Sequence, residues 1–574
     1  MEYSISYSAP HKQLIDIEFW AEIQGEETLE LKLPAWRPGR YELQNYASQI
    51  LNFKAVTENL LPLEWYKTDR NTWSIVCKSF KKIKVSYSFY ANKADAGGSW
   101  LDENLLYVNP INCILCVKGR EEAKYKLTLK IDSSFRIASG LEQQSLSLTA
   151  ENYLHLVDSP FFASPSLQSH SFEVDSVKFS LHFAGECRPD FEVIEKQFKA
   201  FINAQMALFG SFPEKDYHFL FLILPYKYYH GVEHRNSTVI VLGSDSPNPV
   251  IPSETLGNTF LGISSHELFH AWNICKIRPK EMLPYNLERE NYFSTGFVAE
   301  GVTTYYGDLM LLRGGVWGIE QYFKELSDNI NLHFHNQARN KVSLLQTSID
   351  LWVDGYQKTH PHRKVSIYDK GALVAFLLDI EIRKATENKY SLDDVMRALW
   401  HDFALKNKGY IYQDYKNIVN TLTKSPLEKY FSECIEGTMP LDRWLAKALD
   451  YIGCIVSVSN SPLVLEYKFG LKLRQENDKV SVLLTENGSP ADKVLAPHDE
   501  LIEVNGSNLP QEWQKLHETN SLQIKLKRAG KVLNKTLYAD GASYFPVYNI
   551  RLNEQRTEQQ IKNFLSWSRN TSQR

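Results

Sequence analysis

The sequence lacks the features that mark membrane proteins and nucleic-acid binders. None of its apolar runs approaches the length that a membrane-spanning helix needs. Neither charge sign dominates, because 64 Lys and Arg face 68 Asp and Glu, for a net charge of -4. A nucleic-acid binder would need a basic face, so nucleic acid is not expected as a partner. Internal repeats and low-complexity tracts are also missing from the sequence.

Cysteine is scarce, with 7 residues scattered over a chain of 574. Residues 1–10 have neither the basic start nor the apolar core of a signal peptide. Both features predict a reduced, cytoplasmic protein. Cys113 and Cys116 form a C-x-x-C pair, but no second pair lies at zinc-ribbon spacing. We therefore interpret them as buried strand thiols rather than as a metal or redox site.

Changes of pattern along the chain predict a multidomain α+β protein, since 574 residues exceed one hydrophobic core. Residues 1–172 alternate apolar and polar positions and are predicted to form an N-terminal β-domain. Residues 173–452 begin with strands and continue with helices, which indicates a mainly helical domain. Residues 453–540 are predicted to form a small β-rich unit with a helix near residues 510–519. Residues 541–574 are expected to be a C-terminal tail that docks onto the body.

Periodicity predicts the individual elements. Alternation favours strands at residues 3–7, 14–19, 82–90, 125–131, 219–224 and 237–242. Apolar positions at helical spacing favour helices at residues 254–275, 297–312, 318–331, 370–386, 392–405 and 412–421.

One short motif carries chemistry. His266-Glu267-Leu-Phe-His270 is an H-E-x-x-H pattern inside a predicted helix. On a helix, residues i and i+4 lie on one face about one turn apart, so both imidazoles can reach one ion. Glu267 projects beside them and can hydrogen-bond a water in the remaining ligand position. The motif alone is not specific, because a surface helix can carry the same residues.

A third ligand is therefore needed, and Glu300 is the candidate. It lies 30 residues after His270, as an acidic residue in an otherwise uncharged run from 294 to 307. Burying a carboxylate is costly unless it is paired or bound to a metal. Two histidines, one glutamate and an open position are the arrangement of a catalytic Zn²⁺ site. These residues predict metal-assisted hydrolysis with Glu267 as general base.

Several segments, in order, resemble the glycyl aminopeptidase family of zinc metallopeptidases. They are His266-Glu-Leu-Phe-His270-Ala-Trp-Asn, Lys276-Ile-Arg-Pro, Glu300-Gly-Val-Thr-Thr-Tyr-Tyr, Pro34-Ala-Trp-Arg-Pro-Gly-Arg-Tyr41 and Ser366-Ile-Tyr368-Asp-Lys-Gly. The resemblance covers nearly the whole chain and implies a thermolysin-like catalytic domain with one Zn²⁺, and a PDZ domain after it. It further implies peptide substrates with a free N-terminus and a preference for N-terminal Gly or Ala.

The resemblance also implies roles for individual residues. His266, His270 and Glu300 would be metal ligands, and Glu267 the base that later protonates the leaving amine. Tyr368 would donate its hydroxyl to the developing oxyanion; from the residues alone it would be a core tyrosine. Gly296 and Phe297 depart from the family pattern, which has an apolar residue and Trp there, and this affects subsite shape.

The segment from Gly231 to Asn236 resembles the Gly-x-x-Glu strand that lines the cleft of aminopeptidase relatives. Gly231, Glu233 and Asn236 are therefore candidate substrate-binding residues, with the Glu233 carboxylate binding the α-amino group. The alternative is a solvated glutamate on an edge strand. This residue separates an exopeptidase from an endopeptidase.

Phe469-Gly470-Leu471 precedes a strand and resembles the segment of a PDZ domain that binds a C-terminal carboxylate. The alternative is a spacer that binds nothing. Two rival functions remain open beside the aminopeptidase. One is a zinc endopeptidase in which Glu233 has another role, and the other is a PDZ-based scaffold protein with little catalysis.

Overall fold

The computed structural model describes residues 1–569 of the chain except 247, 254, 255, 358, 477, 478, 509, 514, 515, 517 and 518. The first region is rich in strands. They are β1 (Glu2–Ser6), β2 (Leu14–Glu22), β3 (Thr28–Lys32), β4 (Ile50–Thr57), β5 (Trp65–Asp69), β6 (Thr72–Val76), β7 (Lys82–Tyr90), β8 (Trp100–Leu101), β9 (Leu106–Val108), β10 (Cys116–Val117), β11 (Tyr125–Lys130), β12 (Arg136–Ser139), β13 (Glu142–Gln144), β14 (Ser147–Ala150) and β15 (Phe161–Ser164), with one short helix, α1 (Tyr153–Val157).

This N-terminal β-domain is built on a seven-stranded sheet in the order β13-β14-β11-β1-β2-β7-β4. A four-stranded sheet, β10-β3-β6-β5, packs against it, and the second four-stranded sheet is β12-β15-β9-β8. Strand β2 shows why the sheets pair, because Ile15, Ile17 and Phe19 alternate with polar residues and all face the core. Cys113 and Cys116 are buried free thiols in this core.

The central domain combines one sheet with a helical body. Its strands are β16 (Gln168–Val174), β17 (Val177–Ala184), β18 (Arg188–Pro189), β19 (Asp216–Leu224), β20 (Tyr228–Glu233), β21 (Ser237–Gly243) and β22 (Val250–Ile251). Its helices are α2 (Phe191–Phe209), α3 (Gly257–Phe269), α4 (Thr303–Arg313), α5 (Ile319–Phe334), α6 (Leu344–Asp354), α7 (Asp369–Ala385), α8 (Leu392–Asp402), α9 (Tyr412–Thr423), α10 (Glu428–Tyr430) and α11 (Asp442–Tyr451).

The sheet of the central domain has the order β16-β17-β19-β21-β20, so β20 is an edge strand. Because β16 pairs with β17, the domain boundary predicted after residue 172 falls inside β16, and the central fold begins before it. Helix α3 starts at Gly257, and residues 254 and 255 of the predicted helix lie outside the described residues. Helices α3, α4 and α7 pack behind the sheet and carry the candidate site.

The C-terminal part contains β23 (Cys454–Ser459), β24 (Leu471–Glu476), β25 (Lys479–Thr485), β26 (Glu500–Val504), β27 (Ser521–Arg528), β28 (Lys531–Tyr538) and β29 (Val547–Leu552), with helices α12 (Val464–Phe469), α13 (Pro510–Trp513) and α14 (Glu558–Ser568). Strands β24 to β28 form an antiparallel five-stranded sheet with its own small core. The helix predicted at residues 510–519 is seen at Pro510–Trp513, and residues 514, 515, 517 and 518 lie outside the described part.

The last segment returns to the central domain. Strand β29 pairs with β23 and packs on α5, and α14 lies against the helical body. Trp567 is fully buried there, and its indole N–H donates to the Tyr305 hydroxyl at 2.9 Å. Residues 541–569 therefore contribute to the core. None of the helices in the described part of the chain combines the length and apolarity that crossing a bilayer requires.

Candidate metal centre and active site

The two histidines of the H-E-x-x-H motif lie at the C-terminal end of α3. His270 follows the last residue of the helix and keeps helical dihedral angles, so His266 and His270 remain one turn apart. Their Nε2 atoms are 3.1 Å from each other. The His270 Nδ1–H donates to the Asn273 carbonyl at 2.7 Å, and this bond turns Nε2 toward the cleft.

Glu300 lies in a π-helical turn, Phe297–Val302, which leads into α4. Such turns inside helices are frequent at functional sites, because they redirect a side chain. The Glu300 Oε2 atom is 3.4 Å from His270 Nε2 and 4.0 Å from His266 Nε2. Asn273 joins the two elements, since its amide donates to the Val298 carbonyl at 2.9 Å. Glu300 is only 2% exposed.

These three side chains fit a zinc ion. Donors about 2.0–2.1 Å from a tetrahedral Zn²⁺ are about 3.4 Å from one another, and the three distances between these donors are 3.1, 3.4 and 4.0 Å. All three donor atoms lie within 4.8 Å of one another on one side of the cleft. Two imidazoles and one carboxylate are the donor set of a catalytic zinc site with an open position.

Glu267 and Glu233 lie beside the metal donors. Together with His270 they bring ligand atoms within 4.8 Å of one another. Glu233 Oε1 and Glu267 Oε2 are buried and have no hydrogen-bond partner in the described residues. Buried carboxylate oxygens without partners are costly unless a ligand or a cation satisfies them.

The electrostatics of the site follow from this crowding. Burial raises the pKa of Glu267 well above its usual range, and the neighbouring Glu233 and Glu300 raise it further. Burial also raises the pKa of Glu233. For His270, burial lowers the pKa, but Glu233 and Glu300 outweigh that effect and raise it to about 10. Burial lowers the pKa of His266 well below its usual value. The protein alone thus places more negative charge here than it neutralises, as a divalent cation requires.

Strand β20 forms one wall of the cleft. It pairs with β21 on one side only, and Gly231 and Glu233 lie on it. A Cβ atom on Gly231 would overlap the Glu267 carboxylate, so only glycine allows this close approach. An edge strand beside the metal donors can bind an extended peptide through its main chain.

Tyr368 lines the same cavity at the start of α7. Its ring centroid is 6.5 Å from that of His266, and its hydroxyl is 3.4 Å from the Tyr356 hydroxyl. The tyrosine thus faces the metal donors from the side opposite Glu267's helix. Tyr356 had no role in the sequence analysis, since nothing local distinguishes it from the other tyrosines.

The cavity has a volume of about 680 Å³ and extends beyond the metal donors. It follows α3 and α4 away from Glu233 and ends among Asn258, Asp308 and Glu325. Burial and the nearby Glu325 raise the pKa of Asp308 to about 8. Sequence reasoning missed this acidic end, because its residues are widely separated along the chain.

The remaining predicted site residues lie elsewhere. Asn236 is absent from the residues that line the cavity, and its amide donates to the Gly140 carbonyl of the β-domain at 2.9 Å. Phe469 and Leu471 are buried in the small C-terminal core, far along the chain from the metal donors. Between them Gly470 has a left-handed φ of 64°, and its N–H donates to the Glu466 carbonyl at 3.0 Å.

Two family models match the sequence. The Peptidase M61 N-terminal domain model matches residues 2–165, and the M61 glycyl aminopeptidase model matches residues 259–374, which include every metal donor. The chain belongs to the M61 glycyl aminopeptidase family. Membership makes this M61 protein a metallopeptidase of the aminopeptidase type, and its donor set makes the metal zinc. The predicted family, enzyme class and cofactor are thereby confirmed.

Solved structures share the fold of the M61 chain. A crystal structure of an aminopeptidase N family protein from Idiomarina loihiensis is 24% identical, with a TM-score of 0.90 over 99% of each chain. An M1 zinc metallopeptidase from Deinococcus radiodurans is 13% identical, with a TM-score of 0.48 over 76% of this chain and 94% of that one. Yeast LTA4 hydrolase is 13% identical, with a TM-score of 0.44 over 77% and 67%. No curated protein matches the sequence.

Proposed function

We propose that this M61 chain removes single N-terminal residues from peptides, with His266, His270 and Glu300 holding the zinc ion. The observation that carries the proposal is the convergence of these three donors beside two buried carboxylates that have unsatisfied oxygens. Bound zinc supplies Lewis acidity, which polarises the scissile carbonyl and allows water to act as a nucleophile near neutral pH.

Glu267 acts as the general base. Its unpartnered Oε2 faces the space between the metal donors and β20, and its raised pKa suits it to accept a proton. Water attacks the carbonyl carbon while its proton passes to Glu267. Glu267 then protonates the amide nitrogen of the leaving peptide as the C–N bond breaks.

Tyr368 stabilises the charge that develops on the carbonyl oxygen. Its hydroxyl lies in the cavity wall near His266, where the tetrahedral intermediate would form. A neighbouring donor can orient it, since the Tyr356 hydroxyl is 3.4 Å away. A preorganised donor of this kind acts mainly on the transition state.

Glu233 determines that the enzyme is an exopeptidase. Its carboxylate lies beside His270 at the closed end of the cavity, where Gly39 of the β-domain approaches it. A substrate ammonium there would satisfy the unpartnered Oε1 atom. We further propose a preference for N-terminal Gly or Ala, which follows the family description and fits a confined space between Gly39 and Tyr368.

The test is hydrolysis of Gly- and Ala-anilides, with and without a chelator, beside N-acetylated anilides and an internal peptide blocked at both ends. We expect cleavage of the free-amine substrates alone, and its loss with chelator. The Glu233→Gln variant should raise KM for free-amine substrates, whereas Glu320→Gln, on the exposed surface of α5, should behave as wild type.

Other outcomes would favour the rival functions. Equal cleavage of acetylated or internally placed bonds would indicate an endopeptidase and would remove the role of Glu233. No cleavage by zinc-loaded protein would favour a peptide-binding scaffold.

We also propose that residues 453–540 are a PDZ domain that binds a C-terminal peptide. Support comes from the antiparallel sheet and from a small apolar groove between β24 and α13, lined by Leu471, Leu473 and Trp513. A peptide with a free C-terminal carboxylate should bind, and its amidated form should not. Leu473→Lys should abolish binding, and Val532→Lys, which is exposed on β28, should not. Equal binding of both peptide forms would contradict the proposal.

All seven cysteines are free thiols, which supports our proposal of a reducing, cytoplasmic compartment. Finding the protein outside the cytoplasm by cell fractionation would contradict it.

A further inference from the structure

A segment of the N-terminal β-domain enters the catalytic cleft. It runs from Ala35 to Tyr41, after β3, and most of it is buried. The Ala35 N–H donates to the Leu287 carbonyl at 2.7 Å, and the Trp36 indole N–H donates to the Asn286 carbonyl at 2.7 Å. The β-domain is thus bonded to the central domain on the approach to the metal donors.

At the end of this segment, Tyr41 contacts a metal donor. Its hydroxyl donates to Glu300 Oε1 at 3.2 Å, whereas the other oxygen, Oε2, is the one that faces His266 and His270. The hydrogen bond therefore occupies the carboxylate oxygen that the histidines leave free. It restrains rotation of the carboxylate and keeps Oε2 directed toward the ion.

The Tyr41 ring is itself held in place. Tyr41 is 0% exposed. Phe293 lies 5.1 Å and Trp352 6.1 Å from it between ring centroids, and Trp36 packs edge-on against Trp352 at 5.0 Å. Because this aromatic cluster joins the two domains, the hydroxyl cannot move away from Glu300 without separating them.

The same segment reaches the other side of the site. Gly39 has a left-handed φ of 75°, and a Cβ atom there would overlap a carboxylate oxygen of Glu233. The Gly39 carbonyl accepts from the Tyr356 hydroxyl, which is the neighbour of Tyr368. One loop of the β-domain therefore touches the metal donor Glu300, the carboxylate Glu233 and the partner of Tyr368.

We propose that Tyr41 is a positioning residue for the zinc ligand Glu300, supplied to the active site by the N-terminal β-domain. The inference rests on the proposed function only in that Glu300 must be a ligand. A hydrogen-bonded neighbour that orients a ligand changes metal affinity when it is removed. A tyrosine that only fills the core would change stability instead.

The test compares Tyr41→Phe with Tyr107→Phe in the full-length protein. Tyr107 is a buried tyrosine of the same β-domain whose hydroxyl bonds the Ala96 carbonyl at 2.9 Å, so its variant measures the general cost of losing a buried hydroxyl. Zinc affinity is measured by competition with a chromogenic chelator, and thermal unfolding is measured on the metal-free forms.

We expect Tyr41→Phe to weaken zinc binding by about tenfold or more, with metal-free stability no lower than that of Tyr107→Phe. Zinc affinity within twofold of wild type would overturn the inference, and so would an equal loss of affinity in Tyr107→Phe. Failure of the wild-type protein to bind zinc would instead overturn the proposed function, so the two failures are distinguishable.

Discussion

At the residue scale, the site is a cluster of acids that the protein leaves partly unneutralised. Glu233, Glu267 and Glu300 are at most 6% exposed, and two of the three have an oxygen without a partner in the described residues. Such an arrangement costs stability in the metal-free protein and is relieved by a cation and a substrate ammonium. Their roles can be separated by substitution.

Glu267→Gln keeps the size of the side chain but removes the proton acceptor. We expect kcat to fall by roughly 10²–10⁴-fold, with zinc content unchanged, because Glu267 is not among the donors that fit the ion. Steady-state kinetics and metal analysis of the purified variant provide the check. Turnover within threefold of wild type would show that another group takes the proton.

Asp308 predicts a pH-dependent stability. Its pKa is raised from 3.8 to about 8 in the folded protein, by burial first and then by Glu325. Between those pH values the folded state keeps a proton that the unfolded chain releases, so stability falls as pH rises through this window. The shift sets an upper bound of roughly 6 kcal/mol, and solvent in the open cavity reduces it to a few kcal/mol.

Asp308→Asn removes this titration, so its stability relative to wild type should increase from pH 4 to pH 8 and then level off. Thermal unfolding at several pH values measures the difference. Glu325→Gln should lower the pKa of Asp308 and give a smaller dependence. A constant difference between Asp308→Asn and wild type would contradict the raised pKa.

At the scale of elements, two helices approach each other through glycine. Gly301 lies in the π-helical turn that carries Glu300, and a Cβ atom on it would overlap Gly371 at the start of α7. The close approach places Glu300 beside α3 and brings Tyr368, just before α7, to the same cavity. Local periodicity predicts the helices but does not show this contact.

Gly301→Ala should therefore destabilise the protein by about 1–3 kcal/mol and weaken zinc binding, because any shift of the turn moves Glu300. Gly257→Ala at the start of α3 is the matched control, since its Cβ would meet Pro252 at an ordinary 3.5 Å. Chemical unfolding and zinc competition measure both effects. Equal behaviour of the two variants would show that the turn adapts without cost.

Helix α2 shows how sequence reasoning missed a long element. Only strands were predicted near the start of the central domain, although α2 spans Phe191–Phe209 with Asp190 as its N-cap and Gly210 at its end. Its buried positions Ile194, Phe198 and Ile202 have helical spacing. The aromatic and β-branched residues nearby favoured strands, and packing against the sheet decided the outcome.

At the scale of the whole molecule, the C-terminal segment completes the central core. The Arg313 guanidinium donates to the Trp567 carbonyl at 3.0 Å and pairs with Asp393 at 2.9 Å. The Trp567 ring packs 5.3 Å from Tyr322 and 5.9 Å from Phe376. This docking ties the end of the chain to the helix that follows the metal site.

Trp567→Ala should destabilise the central domain by about 3–5 kcal/mol, because it opens a large cavity and removes an indole hydrogen bond. Trp20→Ala in β2, where the side chain is 38% exposed, is the control and should cost less than about 1 kcal/mol. Thermal or chemical unfolding measures both. A small effect of Trp567→Ala would indicate that α14 is dispensable for the core.

The sequence by itself determined whatever depends on neighbours along the chain. Alternation predicted β7 at residues 82–90, which are also its bounds in the structure, and i to i+4 spacing predicted that His266 and His270 share a helix face. The ligand set and the family followed from the motifs, because metal chemistry restricts which residues can occupy such a spacing.

Only the tertiary structure decided which distant residues complete the site. Tyr41 and Glu300 are 259 residues apart, and no periodicity relates them. The approach of Gly39 to Glu233, and the placing of Asp308 at the far end of the cavity, likewise depend on how domains and helices pack. Local patterns determine which face of an element is buried, but the partner of that face is chosen by shape and charge over the whole molecule.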